Sequence, residues 1–374
     1  MQQKKMLYFS PINSKTISVG IWKKIQMQIE FFRDKGYEVK LMDTTYSNDT
    51  LFRKIIKRLP MQSINDWNFN IEEIISTDII YIRYSKSDYG FLSFLKNVKT
   101  VNKDLKILLE IPTYPYDREE KMTVINSTLL LRDKYYRQKL KKYCDRILTY
   151  SNDDEIWGIK TIKLSNTINF DQITPINNNF EFDKNEINMI GVATLSFWHG
   201  YDRLIRGLYN YYIQDGDRAI KFHIVGDGPA FQEYKDIIKD LNIENYVKMY
   251  GRLEGSALSR VFDKSSIGVD ALGRHRSGVD FNSSLKGKEY GAKGLPIISA
   301  VRTELDYYPS FKYYLKLDST EDPIDVNEVV RFHDNIYKNK ARNDVVKEIR
   351  AFNEDKFDIE KNWKKVIDYM NLEN

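Results

Sequence analysis

The chain has 374 residues, 42% of them hydrophobic, with 58 Lys and Arg against 53 Asp and Glu. That length fits two domains of ordinary size, while a mean hydropathy of −0.53 and the lack of any apolar run near the roughly 18 residues of a spanning helix exclude an integral membrane bundle. A single cysteine, Cys144, excludes an intrachain disulfide, a Cys-based zinc cluster and a dithiol redox motif, and implies a cytoplasmic protein.

Short β-like runs alternate with helical patterns from the first residues. The opening MQQKKMLYFSPIN reads as a strand, since its apolar stretch is too short for a signal peptide. Strands are predicted at 6–10, 38–42, 79–84, 107–111, 146–151 and 162–165, separated by helices at 19–35, 51–59, 91–102 and 129–144. Gly36 and Pro60 are ordinary helix stops. Residues 167–186, TINFDQITPINNNFEFDKNE, are polar and Asn-rich and read as an interdomain linker. A second alternation follows, with strands at 188–193, 221–225, 247–250, 267–271, 296–299 and 314–317. Its helices are predicted at 199–213, 231–241, 257–262 and 285–292, and three more close the chain at 326–337, 344–352 and 359–370. The reading is α/β, two Rossmann-like domains in tandem with a cleft between them. Charge divides along the same line. Residues 1–165 carry 29 basic and 20 acidic residues, the remainder 29 and 33, so the halves are suited to different partners.

Ligands of doubly wound sheets bind outside the carboxyl ends of strands, so the loops after strands are the places to search. In HIVGDGP, residues 223–229, Gly226 and Gly228 open a helix; glycines there permit close approach of a ligand, or serve the turn geometry alone. In SSLKGKEYGAKGLPIIS, residues 283–299, Ser283 or Ser284 can cap a helix whose free N–H groups suit an anion. Lys286 in that first turn opposes the helix dipole unless a bound diphosphate compensates it. Glu289 is placed to accept ribose hydroxyls; the alternative for the two is a solvated ion pair. In TLSFWHGYDRL, residues 194–204, His199 and Gly200 begin another helix after a strand.

These three segments, in this order and spacing, resemble the donor half of GT-B-fold glycosyltransferases, most closely family 4, the group 1 glycosyltransferases. The matching pieces are His199-Gly200, Val225 to Pro229, Gly251-Arg252-Leu253, Leu285-Lys286 to Glu289-Tyr290, and Gly294-Leu295-Pro296. The resemblance implies that Glu289 binds the ribose, that Lys286 and the amides around Ser284 bind the diphosphate, and that Arg252 and Leu253 border the base. It makes 1–166 an acceptor domain, 167–186 the linker, 187–355 the nucleotide-sugar domain and 356–374 a last helix packing back on the first domain. Two departures stand out. The usual first Glu, eight residues before the ribose-binding one, is Phe281, so Arg276, Ser277, Gly278 and Asp280 are the candidates for its sugar contacts. The usual phosphate-binding Lys is His199.

The basic half would hold the acceptor. Its first loop, residues 10–20, ends in Gly20. Residues 110–120, EIPTYPYDREE, carry Tyr114 and Tyr116 beside carboxylates, a mixture that suits sugars, although an extended loop with ordinary surface charges explains it too. An inverting reaction would need a general base, Asp117 or Glu110. A retaining one, which the resemblance favours, needs no protein base, because the departing diphosphate assists the incoming hydroxyl. His199 and Lys286 would stabilise the charge that grows on that diphosphate. Two basic segments, 51–59 and 131–146, mix Lys and Arg with aliphatic and aromatic residues and suit an anionic membrane surface. No nucleic-acid signature accompanies them.

The expectation is therefore a cytoplasmic enzyme, peripherally bound to the inner face of the cell membrane. It would move a hexosyl or N-acetylhexosaminyl group from a nucleotide-sugar, UDP- ahead of GDP-, to a glycan or lipid-linked acceptor in surface polysaccharide assembly. No cofactor and no metal is expected. The alternatives are a GT-B-fold epimerase or phosphorylase and a non-catalytic homologue serving a partner enzyme.

Overall fold

The computed structural model describes residues 3–12, 19–46, 62–117, 124–177 and 182–372. The chain forms two compact units, Met1–Leu164 with Ile359–Asn374, and Ser165–Asp358.

The first unit runs β1 (Lys5–Ser10), α1 (Val19–Asp34), β2 (Glu38–Asp43), α2 (Ile71–Ile75), β3 (Ile79–Arg83), α3 (Tyr89–Val101), β4 (Lys106–Ile111), α4 (Val124–Arg137), β5 (Arg146–Thr149), β6 (Glu155–Ile156) and β7 (Ile159–Lys163). Its sheet has the order β2-β1-β3-β4-β5-β7-β6, parallel except for β6. Central β4, KILLEI, is buried at every position, as a strand covered on both faces must be. The last helix of the chain, Ile359–Asn371, belongs to this unit. It sets the Trp363 ring edge-on to Phe31 and Phe32, 5.8 and 5.6 Å between centroids, and against Tyr81 at 6.4 Å.

The second unit runs β8 (Glu186–Val192), α5 (Tyr201–Ile213), β9 (Ala219–Val225), α6 (Phe231–Asp240), β10 (Val247–Met249), α7 (Gly255–Lys264), β11 (Ile267–Val269), α8 (Leu285–Lys293), β12 (Ile297–Ser299), β13 (Tyr314–Lys316), α9 (Val326–Tyr337) and α10 (Arg342–Phe357). Its sheet is fully parallel in the order β10-β9-β8-β11-β12-β13. Chain order reverses between β8 and β11, which makes the carboxyl ends of those two strands the switch point of the sheet. Gly191 in β8 lets the Tyr201 ring lie on the strand, since a Cβ would come within 2.7 Å of it.

Differences from the sequence reading have local causes. The segment 167–186 is not a free linker: Ile168, Phe170 and Ile176 are buried within the second unit, and Ile176 N–H bonds Lys293 O at 3.0 Å. The helix expected at 129–144 starts at Val124, ends at Arg137 and resumes as the 3-10 turn Leu140–Lys142. The two-residue strand β6 was too short to show a period. The basic stretch 51–59 lies outside the described residues.

Candidate donor site

The loops after β8 and β11 meet through glycine. After β8 the chain makes the 3-10 turn Phe197–His199, and Gly200 then turns into α5 at φ 63°. A Cβ on Gly200 would lie 2.5 Å from Gly273 N, so the close approach of the two loops itself requires the glycine. Leu272 N–H bonds His199 O at 2.7 Å across this contact. Arg203 in α5 reinforces it by donating to Leu272 O and, at 2.8 Å, to Asp322 O.

Helix α8 begins on two tethered serines. Ser284 Oγ accepts Gly287 N–H at 3.1 Å and donates to Asp270 Oδ1 at 2.8 Å, so the cap is itself fixed by a carboxylate. Ser283 Oγ accepts Asn166 N–H at 2.6 Å and donates to Glu304, which also pairs with Lys288 at 2.8 Å. At the other end Gly294, φ 82°, closes the helix by returning its N–H to Gly291 O and Tyr290 O. Tyr290 OH reaches Val269 O at 3.2 Å and accepts Val192 N–H at 3.0 Å, tying α8 to β11 and β8.

Three basic side chains converge on this helix start. Lys286 is 3.7 Å from the buried Asp270. Burial lowers its pKa to about 8; Asp270 opposes that shift and the Arg274 charge adds to it. His199 lies far below the ordinary histidine range, first through burial and then through Lys286 and Arg274. Lys286 and Arg274 both bring positive charge to the imidazole, with Asp270 and Glu289 opposing it at Lys286, so the site can take further negative charge. A group with several anionic oxygens supplies it, and the first-turn amides of α8 point the same way. Asp270 and Arg274 were not singled out from the sequence. Asp270 carried a usable signal, an acidic residue just past a strand, but the strand was drawn through residue 271 and ends at Val269.

Other predicted residues have different duties. Of the two readings for Gly226 and Gly228, turn geometry has direct support, since the space of their missing Cβ atoms is taken by backbone: a Cβ would stand 1.8 Å from Ala193 O and 2.4 Å from Leu195 O. The two loops are laced together, Leu195 N–H to Asp227 O at 2.9 Å. Arg276, read as a donor-sugar contact, is consumed by a bidentate pair with Asp202 at 2.8 Å and by Glu321 at 2.7 Å. Gly278, φ 72°, ends the 3-10 turn Arg274–Ser277. Asp280 is exposed and pairs with Arg302 at 2.9 Å, while Phe281 is buried and stacks with Tyr307. Leu285 packs on Ile168, Phe170 and Ala292. Glu289 is half-buried on α8, Arg252 is exposed after β10, and Leu253 packs at the edge of the core.

In the first unit the two candidate bases are both engaged. Glu110 is fully buried. Burial alone would raise its pKa, but Arg83 at 2.8 Å and Lys24 at 3.2 Å, with hydroxyls of Tyr81 and Tyr150, outweigh it and bring it to about 2. Asp117 is held down by hydrogen bonds from Arg137, with help from Lys134. A base needs a pKa near the working pH, and these two carboxylates are driven the other way. Tyr116 donates to Asp133 at 2.6 Å and accepts from Arg137 at 3.2 Å, so its hydroxyl is part of the scaffold. Tyr114 is half-buried beside Trp157, a contact the sequence reading missed. Gly20 lies in the first turn of α1 with open space where a Cβ would be. Among the described residues no three His, Cys, Asp or Glu side chains gather closely enough to hold a metal ion, and no helix is long and apolar enough to cross a membrane.

Residues 172–270 match the family model described as "Glycosyl transferases group 1". Within the second unit, this stretch is similar to the group 1 glycosyltransferases. The match ends at Asp270, before α8, so Lys286 and Glu289 rest on geometry and on the sequence resemblance. Solved structures give the fold for nearly the whole chain. A glycosyltransferase from Rickettsia africae superposes with a TM-score of 0.64 at 12% identity, over 99% of this chain and 98% of its own. HepE from Anabaena, in complex with UDP and glucose, gives 0.60 at 11%, over 99% and 100%. The lipopolysaccharide outer core galactosyltransferase WaaB gives 0.56 at 14%, over 98% and 99%. No curated protein sequence matches the chain. Its fold is that of the GT-B glycosyltransferases, and the enzyme is a glycosyltransferase.

Proposed function

We propose that this glycosyltransferase takes its sugar from a nucleoside-diphosphate sugar, with the diphosphate at the start of α8. The observation that carries this is the convergence of Lys286 and Arg274 on one capped helix N-terminus. Glu289, half-buried on the same helix, takes the ribose hydroxyls, and Arg252 and Leu253 border the base. HepE, with UDP and glucose bound, supports UDP as the carrier, and WaaB supports a surface glycan as the acceptor. The acceptor, a glycan or lipid-linked glycan, is met by the first unit, with Gly20 and Tyr114 on its side.

The chemistry is electrostatic. As the glycosidic bond breaks, charge grows on the leaving diphosphate, and Lys286, Arg274 and the α8 amides stabilise it without reorganisation. With Glu110 and Asp117 both committed to ion pairs, the retaining course is favoured, in which a phosphate oxygen of the leaving group takes the acceptor's proton. A thermal shift with UDP, lost in Lys286→Ala and Glu289→Ala, tests the donor site, and no shift in the unaltered protein would overturn it. A second reading, a non-catalytic partner subunit, draws on buried Phe281, where the resembling enzymes carry a carboxylate; turnover of a UDP-sugar panel separates the two.

The membrane reading gains a surface. On α4 Leu131 and Tyr135 are 66% and 60% exposed, four residues apart and so on one face, and Lys139 lies 3.7 Å over the Tyr135 ring. Exposed apolar side chains with a lysine beside them suit the anionic inner face of a cell membrane.

A further inference from the structure

The first sheet has a switch point of its own. Chain order reverses between β1 and β3, and ligands of doubly wound sheets bind outside the carboxyl ends of such strands. Two basic side chains stand there. Arg83 is the last residue of β3, and Lys24 lies in the second turn of α1, the helix that follows β1. Their side chains are 10% and 7% exposed. Tyr81, two residues before Arg83 and so on the same face of β3, packs on Phe32 and Trp363 and gives the crevice an aromatic floor.

Glu110 in β4 is outnumbered by its donors. Its Oε1 is approached by Arg83 Nη1 at 2.8 Å, Tyr150 OH at 3.0 Å, Lys24 Nζ at 3.2 Å and Gln28 Nε2 at 3.4 Å. Its Oε2 takes the Tyr81 hydroxyl at 2.8 Å. A carboxylate oxygen offers about two lone pairs, so Oε1 cannot satisfy everything aimed at it. Positive charge is in excess as well. Among the described residues Glu110 is the one carboxylate paired with Arg83, and Lys24 draws on it too. Arg83 meets it through Nη1, so the edge formed by Nε and Nη2 has no carboxylate partner among the described residues. That edge is the fork with which a guanidinium takes two oxygens of one anion. Burial lowers the Lys24 pKa to about 8; Glu110 opposes that shift without cancelling it, and Arg83 adds to it.

We propose that Arg83 and Lys24 hold an anionic group of the acceptor, a phosphate or a carboxylate, at the switch point of the first sheet. That the anion belongs to the acceptor rests on the reading of the first unit above; that the crevice takes an anion does not. The acceptor is then an acidic or phosphorylated glycan, and its charged group fixes its position before the sugar arrives. Glu110 keeps the two cations apart from solvent and in place, and the anion completes the neutralisation that one carboxylate leaves unfinished.

The test is isothermal titration of the full chain, saturated with UDP, against inorganic phosphate, glycerol phosphate, glucuronate and neutral glucose. Inorganic phosphate and at least one of the two organic anions should bind while glucose does not, and the tighter organic anion names the group. Binding of no anion would overturn the proposal, and inorganic phosphate bound with both organic anions excluded would overturn the assignment to the acceptor. Arg83→Gln should weaken the anion by about tenfold or more and Lys24→Gln should weaken it too, while Lys286→Gln should leave it unchanged. A loss in Lys286→Gln alone would move the anion to the donor site and refute the crevice. Glu110→Gln removes the competing carboxylate, so the folded variant should bind phosphate more tightly, by about tenfold. A purely structural cluster predicts weaker binding there, and that result would sink the proposal. If Arg83→Gln does not fold, Lys24→Gln and Glu110→Gln decide. If UDP does not bind, the donor-site reading fails, while phosphate titration of the Lys286→Gln protein still decides the crevice.

Discussion

Arg137 grips Asp117 with both guanidinium nitrogens, at 2.7 and 3.1 Å, and reaches Asp133 with one of them at 3.2 Å. The pair joins the loop after β4 to α4, so a carboxylate that looked poised for proton transfer is a fastener. Asp117→Asn should lower stability by about 1–3 kcal/mol in urea unfolding and leave the turnover of the folded enzyme close to normal. A fall in turnover of about 10²–10⁴, the signature of a lost general base, would restore the catalytic reading.

Glu110 makes a sharper claim on stability. It is a buried carboxylate shared by Arg83 and Lys24, and removing it leaves two cations without their anion. Glu110→Gln should cost about 3–5 kcal/mol. The pH dependence has a definite sign. The folded-state pKa, about 2, lies below that of an unfolded glutamate, so the stabilisation is complete above the ordinary glutamate range and is lost as pH falls toward 2. Acid titration of the melting temperature should be less steep in Glu110→Gln than in the unaltered protein; equal slopes would contradict the assignment.

For Lys286 the sign runs the other way with respect to ligand. Its pKa of about 8 in the free protein leaves it charged at neutral pH and increasingly neutral above 8. A bound diphosphate favours the charged form, so UDP affinity should be flat near neutral pH and decline by up to about tenfold per unit above pH 8. Lys286→Gln should bind more weakly and lose that decline, as isothermal titration across the range would show. A decline that persists in the variant would assign it to another group.

The glycines of the 226–228 loop give a test of packing against ligand approach. Gly226→Ala would drive a Cβ into the Ala193 carbonyl and should destabilise the protein by about 2–4 kcal/mol whether or not UDP is present. Gly251→Ala, where the φ is 67° but nothing stands within 4 Å, should cost only the backbone term, about 1 kcal/mol. If Gly226→Ala instead folded normally and lost only nucleotide binding, the ligand role would return.

On the membrane surface, Leu131→Asp combined with Tyr135→Asp should reduce sedimentation with anionic vesicles while leaving neutral vesicles unaffected. Unchanged partition onto anionic vesicles would remove α4 from the binding face.

Alternating strands and helices were readable because strand-to-helix periods are local: KILLEI has the continuous apolar run of a strand buried on both faces, and Val326–Tyr337 the spacing of a one-sided helix. Two of the three donor-side segments were readable for the same reason, each being a strand end, a glycine and a helix start within a dozen residues. Roles of single side chains were less legible. Asp117, Glu110, Arg276 and the glycines at 226 and 228 all carry the right chemistry at or near strand ends, and each is committed to a neighbour distant in sequence. Arg137 lies twenty residues from Asp117, and Asp202 lies seventy-four from Arg276. Asp270 and Arg274 showed the reverse, ordinary residues in the string that the β8–β11 divergence sets beside Lys286.

The sequence by itself determined the α/β class, the order of nearly every element, the uneven charge of the halves and the glycosyltransferase kinship of residues around the donor helix. Only the tertiary structure decided which charges are spent on partners elsewhere in the chain. Propensity and periodicity act over one turn or one strand, whereas an ion pair depends on what the fold brings within about 4 Å, a distance with no counterpart along the chain.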